Sequence, residues 1–365
     1  MVGTRERSTR SRTALAIAIA VALAPWQAGC QRKPHPLVLP PDSTQVAGMD
    51  SADVEIRDTQ RLWESGGDFQ QAADATARLL ARAMWGRDFS GWRDRAGYML
   101  DSLGVGAEFA DAPCALAVNF FARSDPEAGS WPYLYTCADG GAVYQALEGK
   151  NLHLQAIIAR GLEPSSTDSL RLVSAVLVRR AAAGPQPIVM TWAQSADGGR
   201  WRLIQTLGAD SLGGFGTAEF GAVSDTDAEL ATRAYRVPPG FVECMTCPHV
   251  YTTALFRWSS QGFERAETKH LPSPYATFAE FVRMLVAGDR VGASELVSDA
   301  SLVFAAQNLE WHVSKGPWRP APGAEESPLS MTFYRGAKEA YAVHFRPQGQ
   351  DWVITGFEPV TRAVE

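Results

Sequence analysis

The chain has 365 residues, of which 46% are hydrophobic, 20% charged and 10% aromatic. That balance excludes a wholly disordered or collagen-like chain and leaves room for two or three domains. Lys and Arg number 34 against 40 Asp and Glu, a formal net charge of −6, and no basic stripe dominates, so nucleic acid is not an expected partner.

The N-terminus carries Arg5, Arg7, Arg10 and Arg12, then an unbroken apolar run from Ala14 to Ala24. That run is shorter than the roughly 20 residues a membrane span needs. It reads as the apolar core of an export signal peptide over residues 1–29. Ala28, Gly29 and Cys30 close it and resemble the lipobox of bacterial lipoproteins, where small residues precede a lipidated cysteine. Gln27 departs from that family's usual apolar residue, and the competing A-x-A pattern at Ala22 and Ala24 is followed directly by Pro25. The resemblance implies lipidation at Cys30, which would become the first residue of the mature chain. Gln31 after it implies, for a Gram-negative host, an outer-membrane anchor facing the periplasm. Removing residues 1–29 takes away four arginines and Glu6, leaving 30 cationic against 39 anionic side chains. A lipid, not charge, would then hold the chain to the membrane. Residues 30–50 carry Pro34, Pro36, Pro40 and Pro41 and read as an extended tether.

Residues 51–110 read as helical. Ile56, Leu62 and Trp63 form one apolar face, which Gly66-Gly67 interrupts. Phe69, Ala72, Ala73, Thr76, Leu79, Leu80, Ala83 and Met84 recur at spacings of three and four, behind Asp68 as N-cap. A second piece runs from Trp92 to Leu103 and stops at Gly104, which makes a helical hairpin. Arg78, Arg82, Arg87, Arg93 and Arg95 read as a solvated face, ahead of an anion site.

Residues 111–272 read as an antiparallel β domain. Apolar runs at 115–122, 131–137, 152–159, 170–179, 189–194, 200–207, 252–258 and 263–267 are separated by Gly, Asp, Ser and Pro. Asp197-Gly198 and Ser260-Gln261-Gly262 mark hairpin turns. A sandwich, a barrel or propeller-like blades all fit, and no clean repeat decides among them. The glycines from Gly208 to Gly221 spell neither a P-loop nor a dinucleotide fingerprint. Ser211 has Ala209 where a nucleophile elbow needs glycine, so the stretch reads as a flexible loop. Asp225, Asp227 and Glu229 have calcium-like spacing, but Leu230 stands where the loop needs glycine. They read as an acidic first turn of a helix.

Apart from Cys30, four cysteines remain: Cys114, Cys137, Cys244 and Cys247. An even count in an exported chain suggests disulfides, and proximity favours Cys114–Cys137 and Cys244–Cys247. Pro248 stands where haem attachment needs histidine, and no second C-x-x-C completes a zinc ribbon. Cys247 with His249 falls short of a metal-ligand set. A thioredoxin-like role needs a helix start, whereas the flanks read as strand ends around a turn. A small structural disulfide is the favoured reading, and no metal or cofactor is expected.

Thr277 and Glu280 spell a capping box before an apolar stripe from Phe278 to Val286. Helices at 291–297 and 301–309 follow, then strands at 330–334, 340–345 and 352–357. This order over residues 273–365 resembles the nuclear transport factor 2-like (cystatin-like) superfamily, which implies an α+β cone whose mouth can hold a small ligand. In some members an Asp or His there does acid–base work, which makes Asp299, His312, Tyr334 and His344 the candidates here. Trp311 and Trp318 read first as core and second as a binding surface.

The expected fold is therefore α+β, with an N-terminal helical hairpin, a central antiparallel β domain and a C-terminal cone-like module. The expected function is a lipid-anchored envelope protein that binds or scaffolds a protein, glycan or small molecule. The alternative is a periplasmic hydrolase or isomerase with its site in the C-terminal module.

Overall fold

Three helices come first: α1 (Val46–Ser65), α2 (Phe69–Met84) and α3 (Trp92–Leu103). The computed structural model describes residues 46–86, 88–138, 141–149, 151–162, 170–195, 200–221, 229–259, 262–321 and 329–361. The expected signal peptide, Cys30 and most of the tether lie outside these residues. Helix α1 begins at Val46, inside the stretch expected to be tether, because no proline follows Pro41 to break it. The Asp68 carboxylate accepts from the Gln71 N–H at 3.1 Å and caps α2. Gly104 ends α3 in the left-handed conformation. Ala72, Ala73, Thr76, Leu79 and Leu80 of α2 are buried. Trp63 Nε1–H donates to Thr76 Oγ1 at 2.9 Å, so its one polar atom is satisfied inside the core.

Among the described residues, sixteen strands form four sheets, each a meander of four consecutive antiparallel strands. With the helices, they make the molecule α+β. The first sheet is β1 (Val105–Ala112), β2 (Ala115–Ala122), β3 (Ser130–Ala138) and β4 (Gly141–Ala146). The second is β5 (His153–Arg160), β6 (Leu170–Ala181), β7 (Gly184–Ser195) and β8 (Arg202–Leu207). A short helix α4 (Ala209–Leu212) leads into the third: β9 (Phe215–Phe220), β10 (Leu230–Tyr235), β11 (Tyr251–Ser259) and β12 (Gly262–His270).

The side-chain alternation of strands explains how these layers stack. One face of the first sheet, with Phe120, Tyr133 and Tyr135, shares a core with Leu80 and Trp92 of the helices. Its other face, with Ala115, Ala117 and Leu134, packs on Leu177 and Trp192 of the second sheet. The second sheet is covered on both sides, since Val176 and Val189 pack on Leu230 and Phe256 of the third. That double burial is why β6 reads as a nearly unbroken apolar run.

Polar clamps fix each layer to the next. The Gln145 amide of β4 bonds both backbone groups of Trp201, at 2.9 and 3.1 Å. The Gln205 amide of β8 does the same to Phe263 of β12, at 2.9 and 2.8 Å. Glu108 of β1 accepts from the Leu154 N–H at 2.7 Å and Asn119 at 2.9 Å, and meets His153 at 2.7 Å.

Two sequence expectations fail here. The glycine-rich stretch from Gly208 to Gly221 is not a loop but α4 and β9. Gly214 and Gly216 have φ of 124° and 141°, and a Cβ on either would lie 2.1 Å from a carbonyl oxygen of β10. The glycines are there so that two backbones can approach closely. Glu229 does not start a helix. It pairs with Arg160 and precedes β10; Asp225 and Asp227 lie outside the described residues.

The last part holds α5 (Pro274–Ala287), α6 (Arg290–Glu295), α7 (Ser301–Asn308) and the fourth sheet. Its strands are β13 (Trp318–Pro320), β14 (Ser330–Arg335), β15 (Glu339–Gln348) and β16 (Asp351–Pro359). The cap of α5 is Ser273, whose hydroxyl accepts from the Ala276 N–H at 3.0 Å, not Thr277. Pro274 sets the first helical residue, which moves the start one turn upstream. Thr277 instead donates to the Ser273 carbonyl at 3.1 Å, and Glu280 pairs with Arg283. Phe278 stacks on Phe333 with ring centroids 3.9 Å apart, and Trp311 and Trp318 are buried in the same core. Both edges of this sheet are covered. The Val242 N–H reaches the Trp318 carbonyl at 2.8 Å on one side, and the Ser298 N–H reaches that of Ile354 at 2.8 Å on the other. Arg335 is fully buried and donates to the carbonyls of Leu309, Glu310 and Val313, which closes the C-terminal end of α7.

Candidate binding groove

The four residues singled out for acid–base work sit in different places. Asp299 precedes α7, and its carboxylate accepts from the Ser301 N–H at 2.8 Å. That bond lowers its pKa at a fully exposed position. His312 is exposed just beyond the end of α7. Tyr334 and His344 lie on β14 and β15, at positions that alternate with the core residues Phe333 and Val343. They therefore belong to the sheet face turned away from the helices. His344 Nε2 is 3.9 Å from a Glu358 oxygen on the same face.

Cys244 and Cys247 are disulfide-bonded, with Cα atoms 5.0 Å apart, and the Cys247 N–H donates to the Cys244 carbonyl at 3.0 Å. The pair closes a turn in the irregular segment between β10 and β11, not at a helix start. Cys114 and Cys137 carry free thiols. They face each other across the β2–β3 ladder, with the Cys137 N–H donating to the Cys114 carbonyl at 3.1 Å. Burial, and then the neighbouring Cys114, push the Cys137 thiol up to about 12. Among the described residues, no group of three or more His, Cys, Asp or Glu side chains could hold a metal ion.

Beside the disulfide lies a polar cluster that no sequence pattern announced. The Glu243 side chain is 1% exposed and His249 5%. Glu243 accepts from the Tyr275 hydroxyl at 2.6 Å and meets His249 Nδ1 at 2.5 Å. The His249 ring lies flat on Tyr235, with centroids 3.7 Å apart. Burial, then the Glu243 charge, raises the Tyr275 phenol well above its ordinary value. The cluster ties the segment after β10 to α5. Its side chains are almost wholly buried, so its chemistry is cohesion.

An accessible concave surface lies elsewhere, between α2 and β4. Arg78, Ala81 and Arg82 share one face of α2, Trp85 follows as its C-cap, and Ala142, Val143 and Tyr144 of β4 line the other side of a groove of about 630 Å³. Trp85 is 63% exposed and Val143 45%, which is unusual for large apolar groups set side by side. The Tyr144 phenol is raised above its ordinary value, chiefly by burial, with Arg78 and Arg82 pulling it down and Asp74 pushing it up. Arg82 pairs with Glu55 of α1; Arg78 makes no ion pair among the described residues. The groove thus combines an apolar floor with a cationic wall, on a chain whose net charge is negative.

The arginines were visible in the sequence, but as one solvated series. The structure divides that series. Arg93 pairs with Asp111 and Arg95 lines a shallow hollow with Asp88 and Asp94, while Arg78 and Arg82 border the groove. No protein-family model matches the chain, and none of the curated proteins is similar to it.

Proposed function

We propose that this chain is an exported, lipid-anchored protein of the bacterial envelope that binds a partner, with the groove between α2 and β4 as its contact surface. The signal-like N-terminus and the small residues before Cys30 support the address. Lipid at Cys30 would hold it to the outer membrane on the periplasmic side. The proline-bearing stretch after it would set the folded part away from the bilayer.

The observation that carries the binding role is the groove itself. Trp85, Val143 and Tyr144 expose apolar surface beside Arg78 and Arg82, and such patches mark interaction sites. In this reading residues 51–110 and 111–272 form the binding body. Residues 273–365 form a module like the nuclear transport factor 2-like cone and brace that body. The positions of Asp299, His312, Tyr334 and His344, at helix ends and on the outer sheet face, favour binding over catalysis in that module.

The test is a photo-crosslinking residue placed at Val143 in the anchored protein, with Val291, 76% exposed on α6, as control. A discrete adduct at Val143 that is absent at Val291 and lost on Trp85→Ala supports the groove. Equal or absent adducts at both positions contradict it.

A further inference from the structure

Strand β4 is the last strand of its sheet. The direction of its backbone groups follows from the ladder. The Leu147 N–H donates to the Pro132 carbonyl at 2.8 Å, and Pro132, Leu134 and Thr136 oppose Leu147, Gln145 and Val143. In an antiparallel pair, alternate residues point their N–H and C=O to opposite sides. Gln145 and Val143 therefore bond inward to β3, while Ala142, Tyr144 and Ala146 aim their backbone groups outward. Among the described residues no hydrogen bond satisfies that edge.

The fourth sheet has both its edges covered, by the segments at Val242 and Ser298. Proteins commonly blunt an open edge with proline or lysine, yet β4 reads Gly-Ala-Val-Tyr-Gln-Ala. The edge also borders the groove: Ala142 and Tyr144 supply its open backbone groups and line the cavity with Trp85, Arg78 and Arg82.

We infer that the partner is an extended acidic peptide segment that adds to β4 as a fifth antiparallel or parallel strand. This inference rests on the binding role proposed above and specifies its occupant. Backbone bonds to Ala142 and Tyr144 supply the register. Alternate side chains of the added strand point into the groove. There, an apolar residue covers Trp85 and Ala81, and a carboxylate meets Arg78, whose guanidinium suits a planar anion. Charge complementarity selects the acidic partner, because Arg78 lines the groove without an ion pair among the described residues, whereas Arg82 is already paired with Glu55.

The experiment uses the full mature chain and a capped, fluorescent peptide as long as β4, in which a valine and a glutamate stand two residues apart, with threonine at the positions between, so that both side chains share the face turned to the groove. Binding is read by anisotropy, and amide exchange is followed over residues 141–146. Three companion peptides are compared. One is N-methylated on the edge that would face β4, one on the opposite edge, and one carries lysine for glutamate. The parent peptide and the peptide methylated on the far edge should bind alike and protect the amides of Ala142 and Tyr144. Methylation on the near edge and the lysine exchange should each weaken binding about tenfold or more. Arg78→Gln, a change at an exposed side chain, should weaken the parent peptide several-fold without altering the thermal midpoint.

If both methylated peptides bind like the parent, and Trp85→Ala still abolishes binding, the groove binds but strand addition is overturned. If the parent peptide does not bind at all, the inference falls, while the crosslink at Val143 judges the binding role separately. If the free protein is dimeric and the parent peptide disperses it, the edge belongs to a second copy, and the peptide reading is overturned.

Discussion

Gln205 holds Phe263 by both of its backbone groups, as a neighbouring strand would, although the two residues belong to different sheets. The amide donates to the Phe263 carbonyl and accepts from its N–H, so a side chain stands in for one rung of a ladder. Gln145 and Trp201 repeat the device one layer earlier. The consequence is that stacked four-stranded sheets are joined by directional bonds as well as by apolar packing.

Gln205→Ala should therefore cost about 2 kcal/mol, because it leaves a part-buried N–H and C=O without partners. Gln205→Glu keeps the shape but loses the donor, and should fall between the two. Urea unfolding of the three proteins checks the order. Gly262→Ala should be worse than Gln205→Ala, since its Cβ would lie 2.5 Å from the Gln205 amide oxygen at a φ of 134°.

Arg335 offers a second test. Its guanidinium is wholly buried and serves three carbonyls at the end of α7, with Glu339 as counter-ion at 3.1 Å. Arg335→Met should destabilise the fold by about 3 kcal/mol, because the freed carbonyls and Glu339 lose their donor. Arg335→Lys should rescue little, since a single ammonium cannot fork to three acceptors. Thermal unfolding of both variants decides this.

How much of this could be read beforehand follows from locality. The apolar run Ala115–Ala122 coincides with β2, and Gly104 stops α3 where expected, because those signals are local. Strand β13 has only three residues and was not expected, and neither were β1, β4, β9 and β10. Those four are rich in Gly, Ala and Thr rather than in the bulky apolar residues that mark a strand. The apparent capping box at Thr277 lost to Ser273-Pro274, a start signal four residues earlier. Half of the groove was visible as Arg78 and Arg82. Its other wall, β4, reaches α2 only through the tertiary fold. The buried set of Glu243, His249 and Tyr275 has no periodic spacing to announce it.

Alkaline pH should weaken the protein in a defined direction. Tyr275 has its pKa raised by burial and by Glu243, above an ordinary value of 10.0. It holds its proton more tightly folded than unfolded. Its contribution is therefore intact below about pH 10 and is lost as pH rises beyond that. Tyr133 and Tyr135 are raised too, each chiefly by burial, so they add to the decline. Tyr275→Phe should lower stability at neutral pH by about 1–3 kcal/mol, through the lost bond to a buried carboxylate. It should also make the decline above pH 10 shallower. Denaturant melts from neutral pH to about pH 11 measure both effects.

The reduced Cys137 thiol should be slow to react. With the Cys137 thiol pushed up to about 12, little thiolate forms at neutral pH, and alkylation should speed up about tenfold per pH unit. Oxidised glutathione should nevertheless join Cys114 to Cys137, taking up the two thiol hydrogens as two reduced glutathiones, because the residues face each other across one rung. Mass spectrometry after alkylation checks this. Thiols that stay alkylatable after such oxidation would count against the pairing.

The address underlies the whole reading, and intact mass tests it most directly. The protein is purified with its lipids from a bacterial host, and its mass is measured before and after reduction. The predicted result is a chain that starts at Cys30 and carries a diacylglycerol and an acyl group. A full-length, unmodified chain would contradict the envelope anchor and, with it, the extracytoplasmic setting in which the groove is proposed to meet its partner.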